Sequence, residues 1–495
     1  MEATLDYKQL YEQQVKHSEA LQLQLSELTH RLQELQRLIF GSRHERFHAD
    51  PPNPAQLPLG IETDAVAASS LVSAQKISYT RTTTDIEQKS HPVRMKLPEH
   101  LERRDVVVEP NEDVSGLRRL GEEITEELDY EPGRLFVRRI IRPKYVSRDN
   151  QTILIAPMVE RPLPKAIAGA GLLTQIIIDK YIDHLPLNRQ MERLKREGIT
   201  LPYSTLTDWV SGTAKLLDPL YEALKKEVLK SDYLHVDETP IKVLDRDKKG
   251  TTHRGYFWVY HSSLRDLVLF DYQVGRGREG PQAMLQNFQG HLQTDGYSAY
   301  EIFSHKEGVT HLHCMSHARR KFFEAQNNDP QRAQYALTQI QLLYDIERRC
   351  RQQQFSQQQV REQREKEAVP ILQDLGEWMQ QAYGEVLPKS AMGLALAYSL
   401  KRWGELMIYT TDGKLAIDNN PVERSIRPTA VGRKNHLFCG SHEAAQRSAM
   451  LYSLMGTCKL HGVNPFIYLK DVLTRIAMHP VNKVGELLPQ NWKPL

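Results

Sequence analysis

Two aspartates stand at the ends of short apolar runs, Asp237 in YLHVDETP and Asp295 in HLQTDGYSAY, and a glutamate, Glu423, sits in the polar stretch IDNNPVERSIRP at 417–428. An acid closing an apolar strand is well placed to face a cleft beside a sheet. Two such acids on adjacent strands can share a divalent cation, because Mg²⁺ prefers hard oxygen ligands and keeps positions for water and phosphate oxygens. A third carboxylate would let the set hold two ions roughly 3.5–4 Å apart, which can activate one oxygen and stabilise a departing one in line. Hydrolysing a phosphodiester and joining its 3′ hydroxyl to another strand both require this. Alternation puts Asp237 on the side of Tyr233 and His235, opposite Leu234 and Val236. Gly296 would allow a tight turn after Asp295.

Glu423 also has a plainer explanation. Asn420 can cap a helix whose first turn holds Pro421, Asn420 and Glu423 have capping-box spacing, and Glu423 and Arg427 form an i,i+4 pair. Asp418 is a rival third ligand. Beside two strand-end aspartates, a carboxylate trio accounts better for the pattern than a cap alone. Arg319, Arg320, Arg424 and Arg427 would neutralise a phosphate backbone near the cut.

The elements that must carry these acids read as an α/β unit. YLHVDETP, GYFWVYHS and LVLFDYQV, separated by turn material, predict consecutive antiparallel strands; HLQT predicts another, and VTHLHCMSHARRKFFEA passes from strand into helix. The catalytic unit is expected over 229–323 and 411–445, interrupted by a Gln-, Arg- and Glu-rich helical insertion at 324–410 and followed by terminal helices at 446–495. Upstream, Leu21, Leu25, Leu28, Leu32, Leu35 and Ile39 trace a heptad seam, predicting a self-associating coiled coil within 1–50. A linker follows at 51–96, then a small strand-rich module at 97–157. Residues 158–228 read as helix, turn and helix, with Ser204 as a cap before Leu206, Trp209 and Val210. Arg189, Arg193, Lys195 and Arg196 give the preceding helix a basic side suited to phosphates; an ordinary helical bundle with a solvated basic face is the competing reading.

Composition neither demands nor excludes nucleic acid. The chain has 495 residues, enough for about two to four structural units, and 65 basic against 62 acidic residues leave a net charge of only +3. A DNA surface must therefore come from local clustering. Four scattered cysteines argue against a disulfide framework and against a self-contained cysteine-based zinc site. With a polar start and no apolar run long enough to span a bilayer, a cytoplasmic protein without membrane contact is expected.

Taken together, VDETP at 236–240, TDGYSAY at 294–300, HARRKF at 317–322, DNNPVERSIRP at 418–428, GRKNHLF at 432–438 and GVNPFIYLKDVLTRI near the end resemble the insertion sequence 66 transposase family. FGSRHERF at 40–47, RPKY, PLPKAIAGAGLLTQIIIDKYIDHLPLNRQ and STLTDW extend the resemblance, in order, over almost the full chain. It implies a ribonuclease-H-like core with an Asp, Asp, Glu triad at Asp237, Asp295 and Glu423, and DNA strand transfer dependent on Mg²⁺, for which Mn²⁺ can substitute. It also implies double-stranded DNA partners, namely the element's terminal inverted repeats and a target, together with a homo-oligomer and a place for companion proteins of the element. The family's two CxxC pairs are replaced here by Glu112, Ser115, Ser147 and Asn150, so no structural zinc is expected in the small module. A nuclease or Holliday-junction resolvase that cuts without joining, and a non-catalytic DNA-binding regulator, are the alternatives.

Overall fold

The structure is a computed structural model that describes residues 97–494 apart from 98, 111–117, 132, 147–152 and 246–249. The heptad seam, the linker and the positions of Glu112, Ser115, Ser147 and Asn150 lie outside the described residues.

The strand-rich module is a four-stranded sheet. Strands β2 (Arg118–Glu131) and β3 (Arg134–Val146) form a long antiparallel hairpin that turns at Gly133, whose φ of +83° suits glycine; β1 (Arg103–Val107) runs parallel to β3 on its other side, and β4 (Ile153–Ile155) pairs antiparallel with β3. Leu128 and Val137 from this hairpin share one apolar core with the helices that follow. Helix α1 (Ala170–Tyr181) is joined to β2 through Gly169 N–H donating to Leu128 O at 2.7 Å, and a Cβ at Gly171 would stand 2.2 Å from Tyr130 O, so only glycine permits the approach.

Helix α2 (Leu187–Arg196) and the 27-residue α3 (Tyr203–Leu229) complete the helical region. Leu206, Trp209, Val210, Leu217, Leu220, Leu224 and Val228 bury one stripe of α3, as the apolar spacing predicts. The expected Ser204 cap is corrected. The cap position falls two residues earlier, on the extended Pro202, and Ser204 lies in the first turn, where its carbonyl accepts from the Thr207 hydroxyl at 2.7 Å.

A five-stranded mixed sheet occupies the centre of the chain: β5 (Tyr233–Leu244), β6 (Thr252–Ser262), β7 (Leu267–Gln273), β8 (Gly290–Thr294) and β9 (Val309–His313), with α4 (Glu279–Met284) between β7 and β8. Its spatial order is β7-β6-β5-β8-β9; β5, β6 and β7 are antiparallel neighbours, while β8 pairs parallel with both β5 and β9. The three leading strands are thus antiparallel as read from the sequence. Both faces are covered. Leu234 and Val236 face a core built with α3, α12 (His442–Leu460) and α13 (Pro465–Arg475), whereas Tyr233 faces a second core built from α5 (Met315–Glu324) and the insertion.

The insertion is helical throughout: α6 (Pro330–Gln352), α7 (Gln357–Gln363), a π-helical turn at Arg364–Ala368, α8 (Val369–Glu385), α9 (Ala391–Lys401) and α10 (Trp403–Met407). The chain then returns to the sheet through α11 (Asn420–His436). Among the described residues no helix is long and apolar enough to cross a membrane.

Candidate active site

Asp237 does not end its strand. β5 continues to Leu244, because the Pro240 that suggests a stop costs no ladder bond. The carbonyls of Asp232, Val236, Pro240 and Lys242 all turn toward the edge opposite β6, so the missing N–H of Pro240 lies on that side, beyond the last β8 pair. Pairing with β8 stops at His235 opposite Gln293. Two residues beyond that pair come Asp237, still within β5, and Asp295, just past the end of β8, where the parallel ladder has ended.

Asp295 directly follows β8, and its Oδ1 accepts from Tyr297 N–H at 2.9 Å. Gly296 acts differently from the expectation: it has no positive φ, and its lack of a side chain admits Tyr398 of α9 and Arg402 at that helix's C-terminal cap, whose atoms would lie 2.6–2.7 Å from a Cβ there. Arg402 Nη2 donates to Gly296 O at 3.0 Å. The insertion therefore holds the loop of the second acid.

The third acid is reached by a clamped return. Arg364, 2% exposed, makes a two-pronged ion pair with Glu347 at 2.8 Å on each prong and donates to the carbonyls of Tyr409, Asp412 and Leu415 at 2.7–2.9 Å. Asn419 then spans to β5, its Nδ2 donating to Val236 O at 2.9 Å and its Oδ1 3.1 Å from His235 Nδ1. His235 is fully enclosed, and burial pulls its pKa down to about 3, so the ring is neutral. At the far end of α11, Cys439 bridges back to β5, with Cys439 N–H donating to Lys242 O and Leu244 N–H donating to Cys439 O, both at 2.8 Å.

The capping explanation for Glu423 does not hold. The cap position falls on Asn419 rather than Asn420, no side-chain cap bond forms, and Glu423 Oε1 is buried without a hydrogen-bond partner. Among the described residues no ion pair joins Glu423 to Arg427. Asp418 does the local shaping instead: Oδ1 accepts from Asn420 N–H at 3.1 Å, and Oδ2 from Asn420 Nδ2 at 2.6 Å and the Tyr344 hydroxyl at 3.0 Å.

Burial first, and then the charges of Glu238, Asp295 and Glu423, push the pKa of Asp237 well above the usual carboxylate range. Asp237 thus feels both other acids of the trio. It also feels Glu238, a residue the sequence reading passed over. Glu238 lies on the opposite face of β5, its Oε1 accepting from Arg276 Nε at 2.8 Å and its Oε2 from the Tyr300 hydroxyl at 2.8 Å, while the Arg276 guanidinium stacks on Tyr297 at 3.9 Å. An acid in register with Leu234 and Val236, where an apolar residue belongs, is the signal that marks it. Glu423 is oriented differently from the two aspartates: one of its carboxylate oxygens, Cys314 Sγ and a ring nitrogen of His317 lie within 4.8 Å of one another.

The basic candidates divide. Arg189, Lys195 and Arg196 on α2 are exposed, but Arg193 is committed to the buried Asp179. Arg320, Arg424 and Arg427 are exposed and Arg319 is half-buried. A cavity of about 670 Å³ lies apart from the acids, between α1–α3 and the segment joining α11 to α12, lined by Lys180, Tyr203, Arg433, His436 and Arg447 among others.

Residues 165–447 match the model described as Transposase IS66 family, residues 453–490 the IS66 C-terminal element, and residues 27–106 the model described as Transposase C of IS166 homeodomain. Similar proteins from Sinorhizobium fredii (strain NBRC 101917 / NGR234) include uncharacterized protein y4hP, 33% identical with 94% of this chain and 88% of the relative covered, and uncharacterized protein y4jD, 31% identical with 98% of each covered.

Proposed function

Because the chain belongs to the IS66 family of transposases, we propose that it binds the terminal inverted repeats of its element and catalyses metal-dependent DNA cleavage and strand transfer through Asp237, Asp295 and Glu423. The observation that carries this reading is the meeting of Asp237 and Asp295 where the β5–β8 ladder opens, with Glu423 near enough to act on Asp237. A sheet of order β7-β6-β5-β8-β9 whose first three strands are antiparallel supports a ribonuclease-H-like core.

The chemistry of the residues fits a divalent cation, although the oxygens of Asp237, Asp295 and Glu423 do not all lie within 4.8 Å of one another. Asp237 is crowded by Glu238, Asp295 and Glu423, and Glu423 Oε1 is buried and unpartnered. A counter-charge would favour the ionised form of Asp237. Bound Mg²⁺ or Mn²⁺ would activate the attacking oxygen and stabilise the leaving one. Asp237, Asp295 and Glu423 would hold it, and Glu238, kept in place by Arg276 and Tyr300, would add negative field behind Asp237. Arg424 and Arg427, exposed on α11 beside Glu423, would bind phosphates flanking the reacting one.

DNA ends would dock through α2 and the exposed start of α3, with Arg189, Lys195 and Arg196 on phosphates. Arg193, tied to Asp179, would hold α2 to α1 instead. Self-association through the heptad seam would pair two ends, and the protein would be found with DNA. The test is strand transfer by purified full-length protein with a labelled inverted-repeat end, target DNA and Mg²⁺ or Mn²⁺. Covalent joining is expected; cleavage without joining would assign a nuclease, and end binding without either would assign a regulator.

A further inference from the structure

Cys314 and His317 belong to no step of that reaction, yet both face its third acid. Cys314 follows β9 and forms the N-terminal boundary of α5, so that His317 stands in the first turn of the same helix. Their ligand atoms and one Glu423 oxygen lie within 4.8 Å of one another, the sole such trio of His, Cys, Asp or Glu among the described residues. Two atoms of these residues are orphaned: Glu423 Oε1 and His317 Nδ1 are both buried without a hydrogen-bond partner. Leaving a polar atom buried and unpaired costs about 1–3 kcal/mol, so two residues that each carry one, gathered with a sulfur, would gain from a shared partner. The Cys314 sulfur, itself buried, accepts from Asn419 N–H at 3.1 Å and lies at the start of α5. Burial pushes the pKa of the Cys314 thiol up to about 12, so a bound cation would have to displace its proton.

We propose that Cys314, His317 and Glu423 form a second cation site, one that takes a thiolate-preferring divalent ion of the Zn²⁺ class and fixes the side chain of Glu423. Sulfur, imidazole and a single carboxylate oxygen are the donor set of a zinc ion with a fourth position open, whereas Mg²⁺ takes oxygen donors and would be drawn to Asp237 and Asp295. Zinc donors at roughly 2.0–2.3 Å stand about 3–4 Å apart, so only a small contraction of the present trio is needed. The site differs from the thiolate pairs missing near Glu112 and Ser147. It is anchored to the fold twice, since Asn419, which donates to the sulfur, also holds β5 through Val236. The proposal rests on the transposition reading only in that Glu423 is shared.

The experiment uses metal-stripped full-length protein titrated with Co²⁺, a spectroscopic substitute for Zn²⁺. A thiolate-to-cobalt charge-transfer band is expected and should be bleached by one equivalent of Zn²⁺. Cys314→Ser should abolish the band, and His317→Gln should weaken Zn²⁺ binding at least about tenfold. Cys439→Ser and Asp237→Asn should retain the band. No band in the unaltered protein, or one that survives Cys314→Ser, overturns the proposal. Should Cys314→Ser fail to fold by circular dichroism, His317→Gln decides, because its ring is only partly buried; unchanged Zn²⁺ affinity there overturns the site. An intact band in protein without strand transfer sinks the transposition reading alone, and strand transfer by protein without the band sinks this proposal alone.

Discussion

The two aspartates and the glutamate of the candidate site are held by different means. Asp237 sits on β5 and Asp295 just past the end of the neighbouring β8, and their offset follows from the pairing of Tyr233 with His291 and His235 with Gln293. Glu423 depends on a long detour through the insertion, made reproducible by the buried Arg364–Glu347 pair, by Asn419 and by the Cys439 bridge. Sheet pairing positions a side chain cheaply because every residue along the strand contributes. A returning segment must be fixed at chosen points, each of which is a single place where the site can be broken.

The largest effect should come from the acids themselves, where the difference in support vanishes. Asp237→Asn, Asp295→Asn and Glu423→Gln should each lower strand transfer at least about a thousandfold, while thermal unfolding and inverted-repeat binding stay near normal. Near-normal transfer by Glu423→Gln would remove it from the trio. Next comes the clamp. Glu347→Ala leaves the Arg364 guanidinium buried and uncompensated, which should cost about 3–5 kcal/mol in denaturant unfolding and reduce transfer with it, although Glu347 faces no substrate. Full stability in that variant would mean that the return segment is held by its apolar core alone. Asn419→Ala tests the bridge between the two kinds of support; losing both its contacts should cost about 1–3 kcal/mol and lower transfer more than end binding.

Smaller effects separate the basic residues and the turn. Arg196→Ala should weaken binding to all DNA sequences alike and lower the salt slope by about one, whereas Arg193→Ala should act on stability through Asp179. Equal salt slopes in the two variants would return α2 to an ordinary bundle helix. Asp418→Asn keeps an acceptor for Asn420 and Tyr344 and should remain partly active. Complete inactivity would move the third acid to that position.

What could be read from the sequence follows the same division. The leading strands, the apolar stripe of α3 and the acids on apolar runs were legible because alternation and helical periodicity are local. The extent of β5 was not, since Pro240 signals a stop unless one knows that its missing N–H faces an unpaired edge. Gly296 reads as a turn residue, but its role is set by Tyr398 and Arg402, about a hundred residues away in the chain. Glu423 satisfies a capping-box pattern that the helix does not use, because Asn419 spends its side chain on β5. The Cys314–His317 spacing carries no thiolate pair, so nothing local marks it until α11 brings Glu423 alongside.

Helix α11 is tied to β5 at both ends, through Asn419 before it and Cys439 after it. An element pinned in this way cannot fray from one terminus while the strand beside it stays intact. Amide hydrogen exchange along α11 should therefore slow to the rate of β5 itself, and loss of the Glu423 geometry on warming should coincide with melting of the central sheet rather than precede it. The third acid would then be among the last features of this chain to lose its place, despite being the one that arrives last along the sequence.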